Sequence, residues 1–259
     1  MILERRPGGA AGRYIVRYCA YEERTGVRTR QREPVSTSVV LIFGIDTHLG
    51  VDGQSLQTFA GGLGDSCQWI EHGGAMAGVQ VDLSPLGARM LFGMPMRELA
   101  RRSVALEDVL GPDARILEER MHDARSWDER IRILDAELGR RLAQADEPPP
   151  DVSWAWARLS ETAGRATIGE LTTTLGCSRK HLAARFREHV GLPPKTIART
   201  LRFRRATQLL EDMHALDEVA YTCGYYDQAH LDLDFRHFAA ATPSAYRRDP
   251  RAVTFFQDN

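Results

Sequence analysis

A segment of this 259-residue chain occurs twice, and that repeat limits the possible folds more than any other feature. Residues 168–194, IGELTTTLGCSRKHLAARFREHVGLPP, run in step with residues 216–243, LDEVAYTCGYYDQAHLDLDFRHFAAATP. Ile168, Leu171, Leu175 and Gly176 match Leu216, Val219, Cys223 and Gly224. Leu182, Phe186 and Pro194 match Leu231, Phe235 and Pro243, so the second copy carries one extra residue in its turn. Each copy reads as a short helix with apolar residues at i, i+3 and i+7, a glycine able to turn the chain through the left-handed region, and a second helix. Ser178 and Asp227 stand where a side-chain oxygen can accept from an unpaired N–H at the start of that second helix. Between the copies, residues 194–211 form an amphipathic segment with Ile197, Leu201, Ala206, Leu209 and Leu210 as packing residues. A lone helix-glycine-helix is usually a scaffold hairpin, whereas two copies joined by a helix predict a pair of helix-turn-helix units.

Charge is distributed unevenly along a chain whose net charge is only -1. Residues 165–215 carry Arg165, Arg179, Lys180, Arg185, Arg187, Lys195, Arg199, Arg202, Arg204 and Arg205 against four carboxylates, a net +6. Such a cluster on and beside a recognition helix is the footprint of phosphate contacts. Residues 216–259 instead carry four arginines, Arg251 among them, against seven aspartates and glutamates, Asp258 among them, a net -3. Asp232 and Asp234 fall on the second recognition helix, where phosphate would repel them unless one accepts from a cytosine amino group.

Before the repeat, Asp146-Glu147-Pro148-Pro149-Pro150-Asp151 predicts a linker over 146–151, because successive prolines cannot continue a helix. Residues 1–84 read as β-rich. Short runs of β-branched and aromatic residues at 14–21, 38–45 and 78–83 alternate with glycine-rich breaks at 50–53 and 61–64, which suits a small sandwich or barrel. Residues 85–145 turn helical, with Trp127, Ile131, Leu134, Leu138 and Leu142 on one face, a stripe that belongs either to the core or to a dimer interface. The expected fold class is therefore α+β: a β-rich region and helical bundle over 1–145, then an all-α domain of two helix-turn-helix units joined by a long helix over 152–259.

Several function classes are disfavoured. Cys19, Cys67, Cys177 and Cys223 form no CxxC pair, and the eight histidines show no HExxH spacing, so no metal, cofactor or catalytic residue is assigned. The same scattering argues against an enzyme that repairs DNA through a zinc-held cysteine. Gly61-Gly62-Leu63-Gly64-Asp65 lacks the Gly-Lys-Ser/Thr of a phosphate loop and reads as a turn cluster. No run of eighteen apolar residues appears and no apolar stretch follows the basic residues near Met1, which predicts a cytoplasmic protein without a membrane partner.

The repeat resembles the carboxy-terminal domain of the AraC/XylS transcriptional regulators. The residues that carry the resemblance are Gly224-Tyr225-Tyr226-Asp227-Gln228-Ala229-His230-Leu231, Phe235, Thr242-Pro243 and Tyr246-Arg247. In the first unit they are Ser178, Leu182, Phe186, Gly191 and Pro194, then Arg202, Ala206 and Leu209-Leu210. Residues 78–83, Pro85-Leu86-Gly87-Ala88 and 93–99 are similar to the join between β-rich and helical parts in sensor regions of that family. The resemblance implies a bipartite reader of double-stranded DNA, with a small-molecule effector, a second copy of the chain and RNA polymerase as further partners. An alternative is a protein-interaction module that no longer reads DNA. Ala184 and Leu233 stand where the family commonly has arginine, which can bind guanine in two places, and Ala240 stands where it has glycine. Base and phosphate contacts are therefore expected from Ser178, Arg179, Lys180, Ala183, Arg187 and Arg202, with Gln228, His230 and Asp232 in the second unit and most of the affinity in the first. Arg185 is left between groove contact and a salt bridge with Glu188. Tyr14, Tyr18, Phe43, Phe59 and Trp69 are candidates for an effector pocket or for plain core.

Overall fold

Alternation along the strands decides where the amino-terminal core sits. In the computed structural model, which describes residues 1–249, ten strands form two antiparallel sheets. They are β1 (Ile2–Arg5), β2 (Ile15–Arg24), β3 (Thr29–Glu33), β4 (Val39–Gly44), β5 (Leu49–Val51), β6 (Gln54–Leu56), β7 (Thr58–Gly61), β8 (Gln68–His72), β9 (Ala75–Leu83) and β10 (Ser103–Ala105). The larger sheet runs β1-β2-β9-β4-β7-β10 and the smaller β3-β8-β5-β6. On the larger sheet Tyr18, Leu41, Phe43, Ala60, Val79 and Val81 face a helical layer. Their neighbours Tyr21, Ile42 and Phe59 face the smaller sheet, where they meet Leu49, Val51 and Ile70. Period-two patterning thus buries one sheet on both faces.

The helical layer comprises α1 (Pro85–Phe92), α2 (Leu106–Leu110), α3 (Asp113–Asp123) and α4 (Trp127–Gln144). The stripe on α4 resolves as monomer core: Ile131, Leu134, Leu138 and Leu142 are all buried in the cluster that contains Val79 and Val81. The Tyr18 hydroxyl also donates to Asp135 on that helix at 3.0 Å. Four expectations need correction. Residues 85–145 are not helical throughout, since β10 pairs with β7 at the edge of the larger sheet, and Gly61, expected in a break, is the last residue of β7. Gly50 is a strand residue within β5, and the break is confined to Asp52 and Gly53, whose positive φ values make the tight hairpin turn into β6. Pro150 and Asp151, expected in the linker, open α5 (Pro150–Glu161). Proline at the first helical position loses no bond, since its missing N–H would be unpaired there anyway.

The repeat folds as α6 (Ile168–Leu175) and α7 (Arg179–His189), then α8 (Pro194–Glu211), then α9 (Leu216–Cys223) and α10 (Gln228–Phe238), closed by α11 (Pro243–Arg248). Thr167 and Glu170 form a capping box at the start of α6. Gly176 and Gly224 end α6 and α9 in the left-handed region, at φ 61° and 75°. After α7, Gly191 enters that region at φ 100°; after α10, Ala240 does so at φ 48°. A Cβ at such a φ meets the following carbonyl, at a cost of about 1–2 kcal/mol. Ala240→Gly is therefore expected to stabilise the protein by about 1 kcal/mol after the larger entropy of the unfolded glycine is counted, read as a rise in the midpoint of urea denaturation.

Candidate nucleic-acid interface

The outward face of α7 is set by what its inward face buries. Leu182 and Phe186 pack beneath the helix with Leu171 of α6, which leaves Arg179, Lys180, Ala184 and Arg187 exposed. Ser178 uses its side chain to cap the helix, accepting from the His181 N–H at 3.1 Å. Ala183 is half-buried at the flank of that face. Arg179, Lys180 and Arg187 carry no ion pair among the described residues, so their charge faces solvent undiminished.

Four of the ten basic residues counted in this stretch are engaged by contacts within the protein instead. Arg185 lies between its two expected roles in neither place: it grips Asp151 of α5 through two nitrogens, at 2.9 and 3.2 Å, while Glu188 pairs with Arg97. The hydrogen bond from Arg185 holds the Asp151 carboxyl below its ordinary range. Arg204 donates to the Thr37 hydroxyl at 2.9 Å. Arg202 lies over the Tyr225 ring at 5.6 Å, with its Nε buried, so its guanidinium supports the second unit from within.

Arg199 makes the fourth such contact, and it corrects the reading of the second recognition helix. Asp234 points into the core rather than toward a groove: it is 1% exposed and accepts from Arg199 Nη2 at 2.7 Å. The Arg199 guanidinium also sits 5.0 Å from the Phe238 ring centroid. One of the two aspartates expected to repel phosphate is thus neutralised internally. Sequence could not reveal this, because Asp234 and its half-exposed neighbour Asp232 differ only in the direction the helix gives them.

The rest of α10 presents Gln228, Ala229, Leu233 and Arg236 to solvent. Asp227 caps it, accepting from the His230 N–H at 2.8 Å. The His230 ring is half-buried, edge-on to Tyr225 at 5.3 Å. Burial pushes the Tyr225 phenol far above its ordinary range, with Asp234 adding to the shift, so it stays a neutral packing group. Leu233, at the position where the resemblance expects arginine, is 63% exposed; sequence reasoning missed the exposure of Tyr221 and Tyr226, at 86% and 93%, because aromatic residues in a helical pattern ordinarily signal core. Arg251 and Asp258, counted in the charge of this unit, lie outside the described residues.

Two helix-turn-helix units sharing one long helix, with an unpaired basic face on the first, define a bipartite helix-turn-helix domain. A family described as "Helix-turn-helix domain" matches residues 171–249. A putative AraC-like transcription regulator of Streptomyces lividans is 31% identical over 103 residues, 39% of this chain and 34% of that one. The transcriptional activator RhaR of Pectobacterium atrosepticum is 33% identical over 72 residues, 27% of this chain and 25% of that one. Residues 171–249 thus match a helix-turn-helix domain, and this part of the chain is similar to the corresponding part of AraC-like regulators. It spans about a quarter to a third of the length of the curated relatives it matches. A crystal structure of an apo ToxT variant from Vibrio cholerae shares the fold at a TM-score of 0.50 and 10% identity, over 94% of this chain and 99% of that one. Among the described residues no helix is long and apolar enough to cross a membrane.

Truncating Arg199 would leave the Asp234 carboxylate buried without its counterion, a change that typically costs about 3–5 kcal/mol. Since Arg199 is itself about one-third exposed, the lower end applies. Arg199→Ala is expected to lower stability by about 3 kcal/mol, and Arg199→Ala with Asp234→Leu to recover part of that loss, by urea denaturation of both proteins.

Proposed function

We propose that this chain is a sequence-specific transcriptional regulator, with a sensor and dimerisation region over 1–145 and a DNA-binding domain from 152 onward. The observation that carries the reading is the exposed set Arg179, Lys180 and Arg187 on α7, none of which has an ion pair among the described residues, while Arg185 of the same helix is held by Asp151. Charge left without an internal partner on a recognition helix has phosphate as its natural counterion. Gln228, on the first turn of α10, supplies a lesser contact from the second unit. Ser178, Ala183, His230 and Asp232 flank these positions, and of them Asp232 retains a route to a cytosine amino group.

Regulation by the amino-terminal region is supported by the way that region holds the second unit. Val35 joins the apolar cluster of Phe203, Phe235 and Phe238, and its N–H donates to the Phe238 carbonyl at 3.1 Å. Arg32 donates to the Ala240 carbonyl at 2.6 Å. The Cys67 N–H reaches the His237 carbonyl at 3.4 Å. A change in the sheets that bear these groups therefore acts directly on the end of α10, and a ligand that prefers one arrangement shifts the population toward it.

The exposed Tyr221, Tyr226 and Leu233 favour a second role for the second unit, contact with a protein such as RNA polymerase. The two readings separate by experiment. Binding of the purified chain to DNA enriched from random sequence, followed across a salt series, is expected to fall with a slope of roughly -0.9 per phosphate neutralised. Arg179→Ala, Lys180→Ala and Arg187→Ala together are expected to abolish the specific shift, whereas Gln228→Ala weakens it by about tenfold or less. Equal losses from the two changes would sink the division of labour, and no selection of DNA at all would leave the protein-contact reading.

A further inference from the structure

Between the two sheets of the amino-terminal region lies a cavity of about 130 Å³. Val40, Ile42, Val51, Phe59 and Ile70 form its apolar walls. One end is polar. Asp82 and Arg17 project from neighbouring strands of the larger sheet, and Glu33 ends β3 in the smaller sheet opposite them.

The hydrogen bonds at this end leave one carboxyl over. Asp82 is satisfied twice, by Arg17 Nε and by Gln80 Nε2 at 2.7 Å. Arg17 divides its remaining capacity with Glu4, through Nη1 at 2.7 Å. Glu33 has no such partner: its Oε2 is sealed from solvent and meets no donor among the described residues. Three carboxyls thus surround one guanidinium, and the carboxyl that faces the apolar cavity is the uncompensated one. A buried carboxylate with no counterion is strongly disfavoured, and a ligand that brings N–H donors and a positive charge removes that penalty.

We propose that this cavity binds a small organic monocation, an alkyl- or cycloalkylammonium of about five carbons, with its ammonium on the Glu33 carboxylate and its hydrocarbon against Ile42, Phe59 and Ile70. The size follows from the volume, since a cavity of about 150 Å³ accepts benzene. The charge follows from the lining, because a carboxylate or phosphate would meet Glu33 and Asp82 with the only guanidinium already shared. The inference rests on the sensor reading above and gives it a ligand class. Occupancy has a short path to the second unit, since Glu33 and Val35 are two residues apart on the segment that docks on Phe238.

Protonation provides an independent signature. Burial, then the neighbouring Asp82, hold the Glu33 carboxyl well above its ordinary range, with Arg17 opposing. The other groups facing it are Cys67, whose thiol burial pushes up to about 11, and the Tyr246 phenol, raised further still, so both stay neutral near pH 7. An ammonium that binds ionised Glu33 must displace a proton, so its affinity rises with pH until Glu33 is ionised in the free protein. The same shift means that the folded chain keeps a proton that the unfolded chain has released. Stability on this account is greatest at acid pH and falls as pH rises through the Glu33 titration.

The test uses the full chain with n-butylammonium and cyclopentylammonium chloride, and with butan-1-ol and sodium butyrate as uncharged and anionic counterparts, followed by calorimetric titration at about pH 6 and about pH 8.5. Saturable binding of the ammonium ions, tighter at the higher pH, is expected, with the alcohol and the acid at least tenfold weaker. Glu33→Gln should lose at least tenfold in ammonium affinity and its pH dependence while melting at a higher temperature than the parent protein at about pH 8. The surface change Glu119→Gln should alter neither. Failure of both ammonium ions to bind, equal binding of alcohol or butyrate, or an unchanged affinity in Glu33→Gln would overturn the assignment. DNA binding measured on the same preparation separates the two readings. A chain that shifts DNA but takes up no ammonium ion refutes only the ligand class, and one that binds ammonium but no selected DNA refutes only the regulator.

Discussion

The rest of the carboxy-terminal architecture depends on the way α8 is shared between two cores. Its first half places Ile197, Ala198 and Leu201 in the large cluster that also contains Leu171, Leu182 and Phe186. Its second half places Phe203, Ala206, Leu209 and Leu210 in a separate cluster with Val219, Leu231 and Phe235. An 18-residue helix is a rod of about 27 Å, stiff because every interior N–H is bonded within it. The two recognition helices cannot turn independently without breaking one core or the other. The Arg199–Asp234 pair and the Arg199 contact with Phe238 fasten α10 to this rod near its middle.

Charge follows from packing in the same domain. Arg185, Arg199, Arg202 and Arg204 are engaged within the protein by Asp151, Asp234, Tyr225 and Thr37, where a guanidinium can satisfy several acceptors or an aromatic face at once. What remains outside is a smaller basic set than the residue count suggests: Arg165, Arg179, Lys180, Arg187, Lys195 and Arg205, three of them on α7. The second unit, relieved of Asp234, is less hostile to phosphate than its formal charge implies. Its outward face is marked chiefly by Tyr221, Tyr226 and Leu233.

The continuity between the amino-terminal region and the helix-turn-helix domain is a matter of buried surface rather than of a linker. The large cluster runs from Tyr14 through Leu138 and Val152 to Leu201, so the sheets, the α4 stripe and the first helix-turn-helix unit share one apolar interior. The prolines at 148–150 lie between α4 and α5, and the last of them begins a helix instead of extending a spacer. Val35 carries the contact to the second unit across a sequence separation of about two hundred residues, where no local pattern could announce it.

Some of this was legible in particular residues. The repeat, Gly176 and Gly224, the caps at Ser178 and Asp227, and the span of α8 all follow from local rules, because helix ends, left-handed turns and apolar periodicity are decided within a few residues of chain. Local rules also marked runs at 14–21, 38–45 and 78–83, whose β-branched residues need burial on both faces and which fold within the strands at 15–24, 39–44 and 75–83. They failed for β3, whose sequence TRQRE offers no apolar face and is a strand because β8 pairs with it. They failed equally for Arg185, Arg199, Asp234 and Glu33, since a charged side chain does not reveal which distant partner will meet it. The sequence by itself determined the two helix-turn-helix units and the rod between them. Only the tertiary structure decided which charges remain outside to meet a ligand or DNA, because the free energy of a charge is set by burial and by partners that long-range packing brings together.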